Sequence, residues 1–492
     1  MTHSDTLPPR SASGFRRPRP RARLAPRETT RPLPEALPPL TVDDLPRSLP
    51  FAPKDTLQVG SPPLRLVIKT VTGLSERFRW WRTPLTSAAT ATEEMGPLDN
   101  LYWIHKSKYP VCQMPGGADP DSRLDRNYRG VSLPQGLVPE RTLTLGACGD
   151  MLRSPGIDGS QDILFEKVAD DLFGQDLAFA NFESPVTTQP LVDEVIGDAG
   201  PPVECCSREQ FDIFKGHRGR NFDMLHTANN HMFDMGVEGI ESTQSALAEE
   251  GIANLGTLRS PAQHGRAVIV DRNDIRIGFV SDCFGLNGRV MPEDERWRIH
   301  VSKLLSKKQP PDLSLLKRQI DDARAQNCDF IIASVHWGWE FELFPREVQI
   351  AAAHELVEYG ADSLICHHPH VIQPVEVYRT ERDPARVAVI AHSLGSLTWA
   401  FMAPHIVLST ILKLRLAKGY FEGDLVTFIA GVDAVPVFRT YVEEEGHMIT
   451  RIEKLTDHVG RQDSLFPQEY VGQIAAHAEH VLGPDCMRRP KG

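Results

Sequence analysis

The sequence lacks several features that mark common functional classes. No apolar run among its 492 residues approaches the roughly 20 residues of a membrane-spanning helix, so no transmembrane segment is predicted. Neither a Gly-x-x-x-x-Gly-Lys-Ser/Thr phosphate loop nor the Gly-x-Ser-x-Gly elbow of serine hydrolases is present. The net charge of -11 argues against nucleic-acid binding, which needs a basic surface. A small anionic substrate is not excluded, because metal ions could supply local positive charge.

The cysteine pattern and the start of the chain carry no sign of secretion. The eight cysteines form neither a Cys-x-x-Cys pair nor a dense framework, which favours reduced thiols and a cytoplasmic location. Arginines near the start are interrupted by prolines and are not followed by an apolar stretch, so no secretory signal is predicted.

Composition divides the chain into four parts. Residues 1–55 are rich in proline and arginine and are predicted to form a disordered tail. Residues 56–140 are interpreted as an irregular N-terminal extension on the main domain. Residues 141–455 alternate short apolar strands with helical patterns, as in α/β proteins. Residues 456–492 are interpreted as a closing helix and tail. Helical spacing of apolar residues occurs at 163–173, 237–251, 313–327 and 346–360.

Polar side chains recur where the predicted strands end. In open α/β sheets the carboxyl ends of the strands border the ligand crevice, so these side chains are expected to converge. The residues at these positions are Asp150, Asn181, Glu183, Asn229, Asn230, His231, His336, His368 and His370. Taken singly, Asp150 would more often be a cap and His336 a hydrogen-bonded structural residue. Their joint recurrence favours a functional site.

The chemistry of this set suits divalent metal ions. Carboxylate, amide and imidazole donors together fit Mn, Fe, Zn or Co. The spacing of His368 and His370 places both side chains on one face of an extended segment. One or two ions could bind there, and a pair would clamp an anionic group and activate a bridging water. Because Asn230 already faces the metal, the neighbouring His231 is better suited to be a general acid.

At these residues the sequence resembles the CapA family, the bacterial capsule-synthesis proteins associated with poly-γ-glutamate, which are related to calcineurin-like metallophosphoesterases. The resemblance covers about residues 142–402. The motifs that carry it appear in order as "GDMLRS" (149–154), "NFESPVT" (181–187), "TANNHMFDMG" (227–236), "HWGWEFELFP" (336–345), "HHPHVIQPVEVY" (367–378) and "HSLGS" (392–396).

The resemblance implies a fold and a division of roles. The fold would be a four-layer α/β/β/α sandwich with metals at the strand ends. Asp150 and His370 would bind the first metal, and Glu183 would bridge the two metals. The second metal would be bound by Asn230, His336 and His368, with His231 as the acid. The candidates for substrate contact or for support of the ligands are Asn181, Asn229, Asp234, Glu340, His367 and Ser393.

The sequence also departs from the family pattern. Met151 and Leu152 follow Asp150, where metallophosphoesterases usually have Asp-x-His, so the first metal loses one imidazole. Cys366 replaces the usual glycine before the histidine cluster, and Ser396 replaces the usual asparagine. The family's membrane anchor is not found. A cytoplasmic location is therefore expected, and association with the cell envelope is the alternative.

Three functions fit these observations. The first is a metal-dependent hydrolase that cuts a phosphoester or a γ-glutamyl-type amide in an anionic small molecule, peptide or polyglutamate. The second is a non-enzymatic accessory protein that holds poly-γ-glutamate or another acidic polymer in a synthesis complex. The third is a tailoring enzyme of peptide or secondary-metabolite biosynthesis. Any polymerisation would require a partner with ligase activity, since no phosphate loop is present.

Overall fold

The computed structural model describes residues 62–154, 156–191, 203–399, 403–444, 447–464 and 466–488. These residues belong to one unit of the chain. The proline- and arginine-rich tail expected over residues 1–55 lies outside the described residues.

The described residues form fifteen strands and nine helices. The strands are β1 (Val138–Met151), β2 (Leu177–Phe182), β3 (Gly216–His217), β4 (Arg220–Asn221), β5 (Met224–His226), β6 (Ala253–Leu255), β7 (Val268–Arg272), β8 (Ile275–Cys283), β9 (Phe330–His336), β10 (Ser363–His367), β11 (Val375–Arg379), β12 (Val387–Ala391), β13 (Leu408–Phe421), β14 (Asp424–Glu444) and β15 (His447–Lys454). The helices are α1 (Pro62–Arg77), α2 (Pro97–Lys108), α3 (Ala169–Leu172), α4 (Arg208–Phe214), α5 (Gly236–Glu249), α6 (Ser314–Ala325), α7 (Glu347–Tyr359), α8 (Pro404–Val407) and α9 (Gln468–Leu482).

Two large sheets organise the chain. The first has the order β15-β14-β13-β1-β2-β5-β6, and the second has the order β11-β12-β10-β9-β8-β7. Strands β1, β2, β5 and β6 run parallel, as do β8, β9, β10 and β12. The parallel strands end along the same edge of each sheet, so the residues that follow them come together. The predicted α/β fold is confirmed.

Buried apolar side chains fill three layers around the sheets. Between the sheets, Phe179 of β2 stacks on Phe279 of β8 with ring centroids 6.0 Å apart. Outside the second sheet, β-strand residues pack on α6 and α7 through side chains such as Leu316 and Leu356. Outside the first sheet, Phe211 of α4 packs in the same way. The layers therefore run helix, sheet, sheet, helix. Each fully buried large apolar side chain contributes about 1.5–3 kcal/mol to the free energy of unfolding.

Residues 163–173 fold differently from the helix that their spacing predicts. Only Ala169–Leu172 is helical, and the residues before it form turns closed by i to i+3 hydrogen bonds, such as Val168 N to Phe165 O. Phe165 packs edge-on against both Phe173 and Phe222. This aromatic packing overrides a weak helical preference.

The segment before β1 is held to the main fold by a buried charge cluster. Lys106 of α2 lies 3.0 Å from Glu342, and Arg346 lies 2.8 Å from the same carboxylate. Burial would raise the pKa of Glu342, but these two cations hold it below its usual value. Tyr102 donates a further hydrogen bond to Glu342 at 3.1 Å. Helix α2 is thereby fixed beside residues 337–346.

Neither a disulfide nor a candidate membrane span occurs in the part of the chain that the structure describes. All eight cysteines are free thiols. Of the helices described, none combines the length and the apolar character needed to cross a bilayer.

A close crossing of two glycines joins the sheets at the end of β1. The segment 392–399 leads from the second sheet toward the first, and Asp150 N donates to Gly395 O at 2.9 Å. A Cβ atom on Gly149 would lie 1.8 Å from Gly395 O and 2.9 Å from Gly395 C, and both are backbone atoms, which cannot turn away as a flexible side chain can.

Gly149→Ala is expected to destabilise the protein by about 3 kcal/mol or more, because the strands must part to admit the methyl group. Urea unfolding measures the effect. Gly472→Ala in α9 is the matched control, since its added Cβ meets nothing within 4 Å and alanine favours a helix by about 1 kcal/mol. Equal stability of Gly149→Ala and wild type would contradict the tight crossing.

Candidate metal centre

The polar residues predicted at the strand ends lie together at one edge of the two sheets. Asp150 is the last but one residue of β1, Glu183 follows β2, and His336 ends β9. The side chains of this cluster are each at most 4% exposed: Asp150, Asn181, Glu183, Asn229, Asn230, His231, His336, His367, His368 and His370. Such burial of ten polar side chains requires that they satisfy one another or hold a ligand.

Asp150 lies between two imidazoles. Its Oδ1 is 3.3 Å from Nδ1 of His367, and its Oδ2 is 3.1 Å from Nδ1 of His370. Asn181 donates from Nδ2 to Asp150 Oδ1 at 2.9 Å. Burial would raise the pKa of Asp150, but the two imidazoles hold it well below its usual range. The carboxylate is therefore ionised and available to a cation.

Glu183 lies at the centre of the cluster. Its Oε1 is 3.4 Å from Nε2 of His336 and 4.0 Å from Nε2 of His370. Burial raises the pKa of Glu183 well above its usual range, and the charges of Asp150 and Glu204 raise it further. A positive ion at this point would offset both effects.

His336 and Asn230 face each other across the sheets. Nε2 of His336 lies 2.7 Å from Oδ1 of Asn230, and Nδ1 of His336 lies 3.3 Å from Nδ2 of Asn181. Three donor atoms, on Glu183, Asn230 and His336, thus lie near one another. Ligands of a tetrahedral ion bound at about 2.1 Å are about 3.4 Å apart. The Glu183–His336 distance of 3.4 Å matches this spacing, whereas the shorter His336–Asn230 contact is a hydrogen bond.

His368 and His370 are held by an unusual backbone. Their φ angles are 98° and 56°, a region that residues other than glycine seldom adopt and whose strained members cluster at functional sites. The ring of His368 packs on Phe284 with centroids 4.4 Å apart. The ring of His370 packs on Trp399 at 4.3 Å, and its Nδ1 is 2.9 Å from Oγ of Ser396.

The residues present fit a divalent metal ion. Within the described ranges, Glu183 Oε1 and both ring nitrogens of His368 are buried without a hydrogen-bond partner. Burial lowers the pKa of His368 well below its usual value, and the adjacent His370 adds to this effect. The imidazole is therefore neutral and offers a lone pair. Among the described residues, unpartnered buried nitrogens also occur elsewhere, as on His405, so it is the position of these donors beside one another that suits a metal ion.

Two overlapping donor groups share one carboxylate. Glu183, His368 and His370 can bring one atom each to within 4.8 Å of one another, and so can Asp150, Glu183 and His336. Glu183 belongs to both groups, as a bridging ligand would. The histidines are shared between the two groups differently from the pattern that the family resemblance implies, which puts His370 with Asp150 and His368 with His336. In the structure His336 groups with Asp150, and His368 groups with His370. The assignment of each ligand to one ion stays a prediction.

Beside this cluster, His231 contacts Asp234 through one ring nitrogen and Asn287 through the other, and these three residues form the His231 relay. Nδ1 of His231 is 2.7 Å from Oδ2 of Asp234, and Nε2 is 3.4 Å from Nδ2 of Asn287. The carboxylate fixes the ring so that Nδ1 carries hydrogen, and Nε2 points toward Asn287, which itself binds Asn230 of the cluster. This orientation suits a group that exchanges protons with a bound substrate.

The remaining predicted residues support the cluster in different ways. Asn229 donates to Phe182 O at 2.8 Å and so fixes the loop after β5. Glu340 accepts a hydrogen bond from Trp103 of α2, and its Oε1 lies 3.8 Å from Nε2 of His370. Ser393 instead accepts from Gly395 N at 3.1 Å, so its hydroxyl stabilises the glycine crossing.

Three residues near the cluster were not predicted from the sequence, and they lie on the loop after β8 and on α2. Asn287 is part of the His231 relay, Arg289 contacts this relay, and Trp103 contacts Glu340. The "NG" pair at 287–288 is a strong turn signal, and it follows a strand that ends beside the site. Trp103 carries no signal, because its sequence spacing says nothing of a partner 237 residues away.

Comparisons with known proteins match this part of the chain. A family model described as bacterial capsule synthesis protein PGA_cap matches residues 144–399, just over half of the chain. The capsule biosynthesis protein CapA of Bacillus anthracis is 28% identical over 248 residues, which cover 48% of this chain and 54% of that protein. The PGA biosynthesis protein CapA of Bacillus subtilis is 26% identical over 242 residues, covering 48% and 57%.

A third relative has a different description. A probable polyglutamine synthesis accessory protein of Mycobacterium tuberculosis is 30% identical over 165 residues, which cover 31% of this chain and 40% of that protein. The chain thus spans about half the length of the first two relatives and less of the third.

Proposed function

Because the chain belongs to the bacterial capsule synthesis (PGA_cap) family, as the resemblance of its motifs predicted, we propose that it is a metal-dependent hydrolase of poly-γ-glutamate or capsule biosynthesis. The bond cut would be a phosphoester or a γ-glutamyl-type amide. The observation that carries the proposal is the set of buried donor atoms without partners beside the His231 relay.

The metal would be held by six side chains. They are Asp150, Glu183, Asn230, His336, His368 and His370. When bound, one or two divalent ions would polarise the scissile group and lower the pKa of a water molecule. The mixed oxygen and nitrogen donors suit Mn, Fe, Zn or Co.

The protein's own residues would supply positioning and proton transfer. His231 would donate a proton from Nε2 to the leaving oxygen or nitrogen, and Asp234 would stabilise the imidazolium before that transfer. Asn181, which donates to Asp150, would keep the carboxylate aimed at the centre. Burial of the cluster would exclude bulk water and strengthen each of these interactions.

The second candidate is an accessory role without catalysis. The mycobacterial relative is described as a probable polyglutamine synthesis accessory protein, and the sequence after Asp150 lacks the histidine of the usual Asp-x-His motif. In this role the centre would hold an acidic polymer for a partner ligase. The His231–Asp234 pair favours the enzyme, because a binding protein has little need of an oriented acid beside the metal.

Metal content and hydrolysis separate the two candidates. Purified protein is assayed for bound metal by elemental analysis and then for cleavage of bis(p-nitrophenyl) phosphate and γ-glutamyl-p-nitroanilide, with and without a chelator. We expect near-stoichiometric metal and chelator-sensitive cleavage of one substrate. Stoichiometric metal without cleavage of a broad substrate panel would favour the accessory role. Wild type that is metal-free and resists reconstitution would overturn the metal centre.

A further inference from the structure

A tight turn after β8 reaches the catalytic relay. Arg289 N donates to Leu286 O at 2.9 Å, which closes a four-residue turn. Both central residues have positive φ angles, 52° at Asn287 and 75° at Gly288, as in a type I′ turn. Asparagine and glycine adopt this conformation at little cost, so the turn forms without the help of a ligand.

Asn287 ties this turn to the two residues beside the metal. Its Oδ1 accepts a hydrogen bond from Asn230 Nδ2 at 3.0 Å, and its Nδ2 lies 3.4 Å from His231 Nε2. The turn therefore borders the face of His231 from which a proton would reach the leaving group. Any substrate that meets His231 Nε2 also meets this turn.

Arg289, at the end of the same turn, places a positive charge on the Asp234 side of the relay. Its Nε lies 3.2 Å from Oδ1 of Asp234, whose Oδ2 holds His231 at 2.7 Å. The arginine side chain is 25% exposed, whereas Asp234 is fully buried. The guanidinium is thus anchored on one edge and borders solvent beside the relay. A planar guanidinium fixed in this way is suited to bind a carboxylate.

The substrates considered under the proposed function carry free carboxylates that such a guanidinium could bind. In a γ-linked glutamyl chain, one such carboxylate stands next to the amide nitrogen that leaves.

We propose that Arg289 is the specificity-determining residue that binds a substrate carboxylate on the leaving-group side of His231. The proposal rests on the proposed function, since it names the substrate group that the same site would bind. Asn287 and the turn fix the distance between this carboxylate and the proton donor. The preferred substrate class is then an amide or ester whose leaving group carries a carboxylate next to the bond that breaks.

The test compares matched substrates on matched variants. Arg289→Gln, Arg289→Lys and wild type are assayed on γ-glutamyl-glutamate and on its analogue with a carboxamide in place of the carboxylate beside the amide nitrogen. A phosphodiester pair whose leaving phenols differ by a carboxylate covers the other bond type. Arg272→Gln is the control, because Arg272 also pairs with one aspartate, Asp223, but at the opposite end of the strands.

We expect Arg289→Gln to reduce the preference of kcat/KM for the carboxylate substrate by roughly 10- to 100-fold, with Arg289→Lys between it and wild type. Arg272→Gln should keep the wild-type preference. An equal loss on both substrates of a pair would overturn the proposal, because Arg289 would then act only through Asp234.

A measurement of ligand affinity tests the role of Arg289 whether or not the protein is a hydrolase. Calorimetric titration of γ-glutamyl-glutamate and its carboxamide analogue is performed in the His231→Ala background, with and without Arg289→Gln. If wild type hydrolyses none of the substrates, the hydrolase proposal fails. The Arg289 proposal is still supported if Arg289→Gln weakens the affinity for the carboxylate ligand by roughly 10- to 100-fold and leaves the affinity for the carboxamide ligand unchanged. Equal affinities for both ligands in both backgrounds would overturn it.

Discussion

His368→Ala is expected to remove bound metal from the purified protein. Both ring nitrogens of His368 are buried and, within the described residues, make no hydrogen bond, so the substitution removes no hydrogen bond from the fold. Its strained φ of 98° also indicates that the surrounding structure positions it for a ligand. We expect metal affinity to fall by at least 100-fold, which elemental analysis and chelator competition would measure.

His354→Ala is the matched control for that variant. His354 lies on α7, 2.8 Å from Glu376 and outside the donor groups, so its loss should leave metal content at the wild-type level. Thermal unfolding adds a second measurement, because an ion that binds only the folded state raises stability. Chelator should lower the melting temperature of wild type and of His354→Ala but not of His368→Ala. Full metal in His368→Ala would contradict its role as a ligand.

His231→Ala is expected to keep the metal and to lose turnover. The His231 side chain bonds Asp234 and faces Asn287, and it belongs to neither donor group. Removing a positioned proton donor typically lowers kcat by about 10²- to 10⁴-fold. We expect kcat to fall by that amount on substrates with a poor leaving group and by less on nitrophenyl substrates, whose leaving groups need little protonation.

Asp234→Asn serves as the companion variant. The amide keeps the size of the side chain but cannot stabilise the imidazolium, so kcat should fall less than in His231→Ala. Steady-state kinetics with metal-reconstituted protein measure both variants, and elemental analysis confirms that each retains metal. Wild-type kcat in His231→Ala would exclude it as the acid, and loss of metal would show that His231 is a ligand instead.

The sheet framework and the residues at its edge were predictable because they depend on local patterns. Short apolar runs such as 177–181 form buried strands wherever they are covered on both faces, and the polar residue after each run lies at the strand end by necessity. The motif from His367 to Tyr378 was equally informative, since three imidazoles within four residues favour a ligand set. These features need no knowledge of distant partners.

The parts that could not be predicted depend on contacts across long separations. Trp103 meets Glu340 only because the Lys106–Glu342 ion pair fixes α2 there. The turn at 286–289 has a local sequence signal, the Asn-Gly pair. Its position next to His231 depends on how the two sheets pack together, which the sequence does not show. The division of imidazoles between donor groups likewise follows from side-chain direction, which sequence spacing does not specify.

The glycine crossing has a consequence for how the centre forms. Asp150 is fixed by Gly395, 245 positions along the chain, and the donors on the two sheets meet only after that contact closes. Contacts of such long range form late in folding, because loop-closure entropy is lost before they are made. A metal ion held by donors from both sheets would bind only after the two sheets dock, and its binding would then stabilise the folded state.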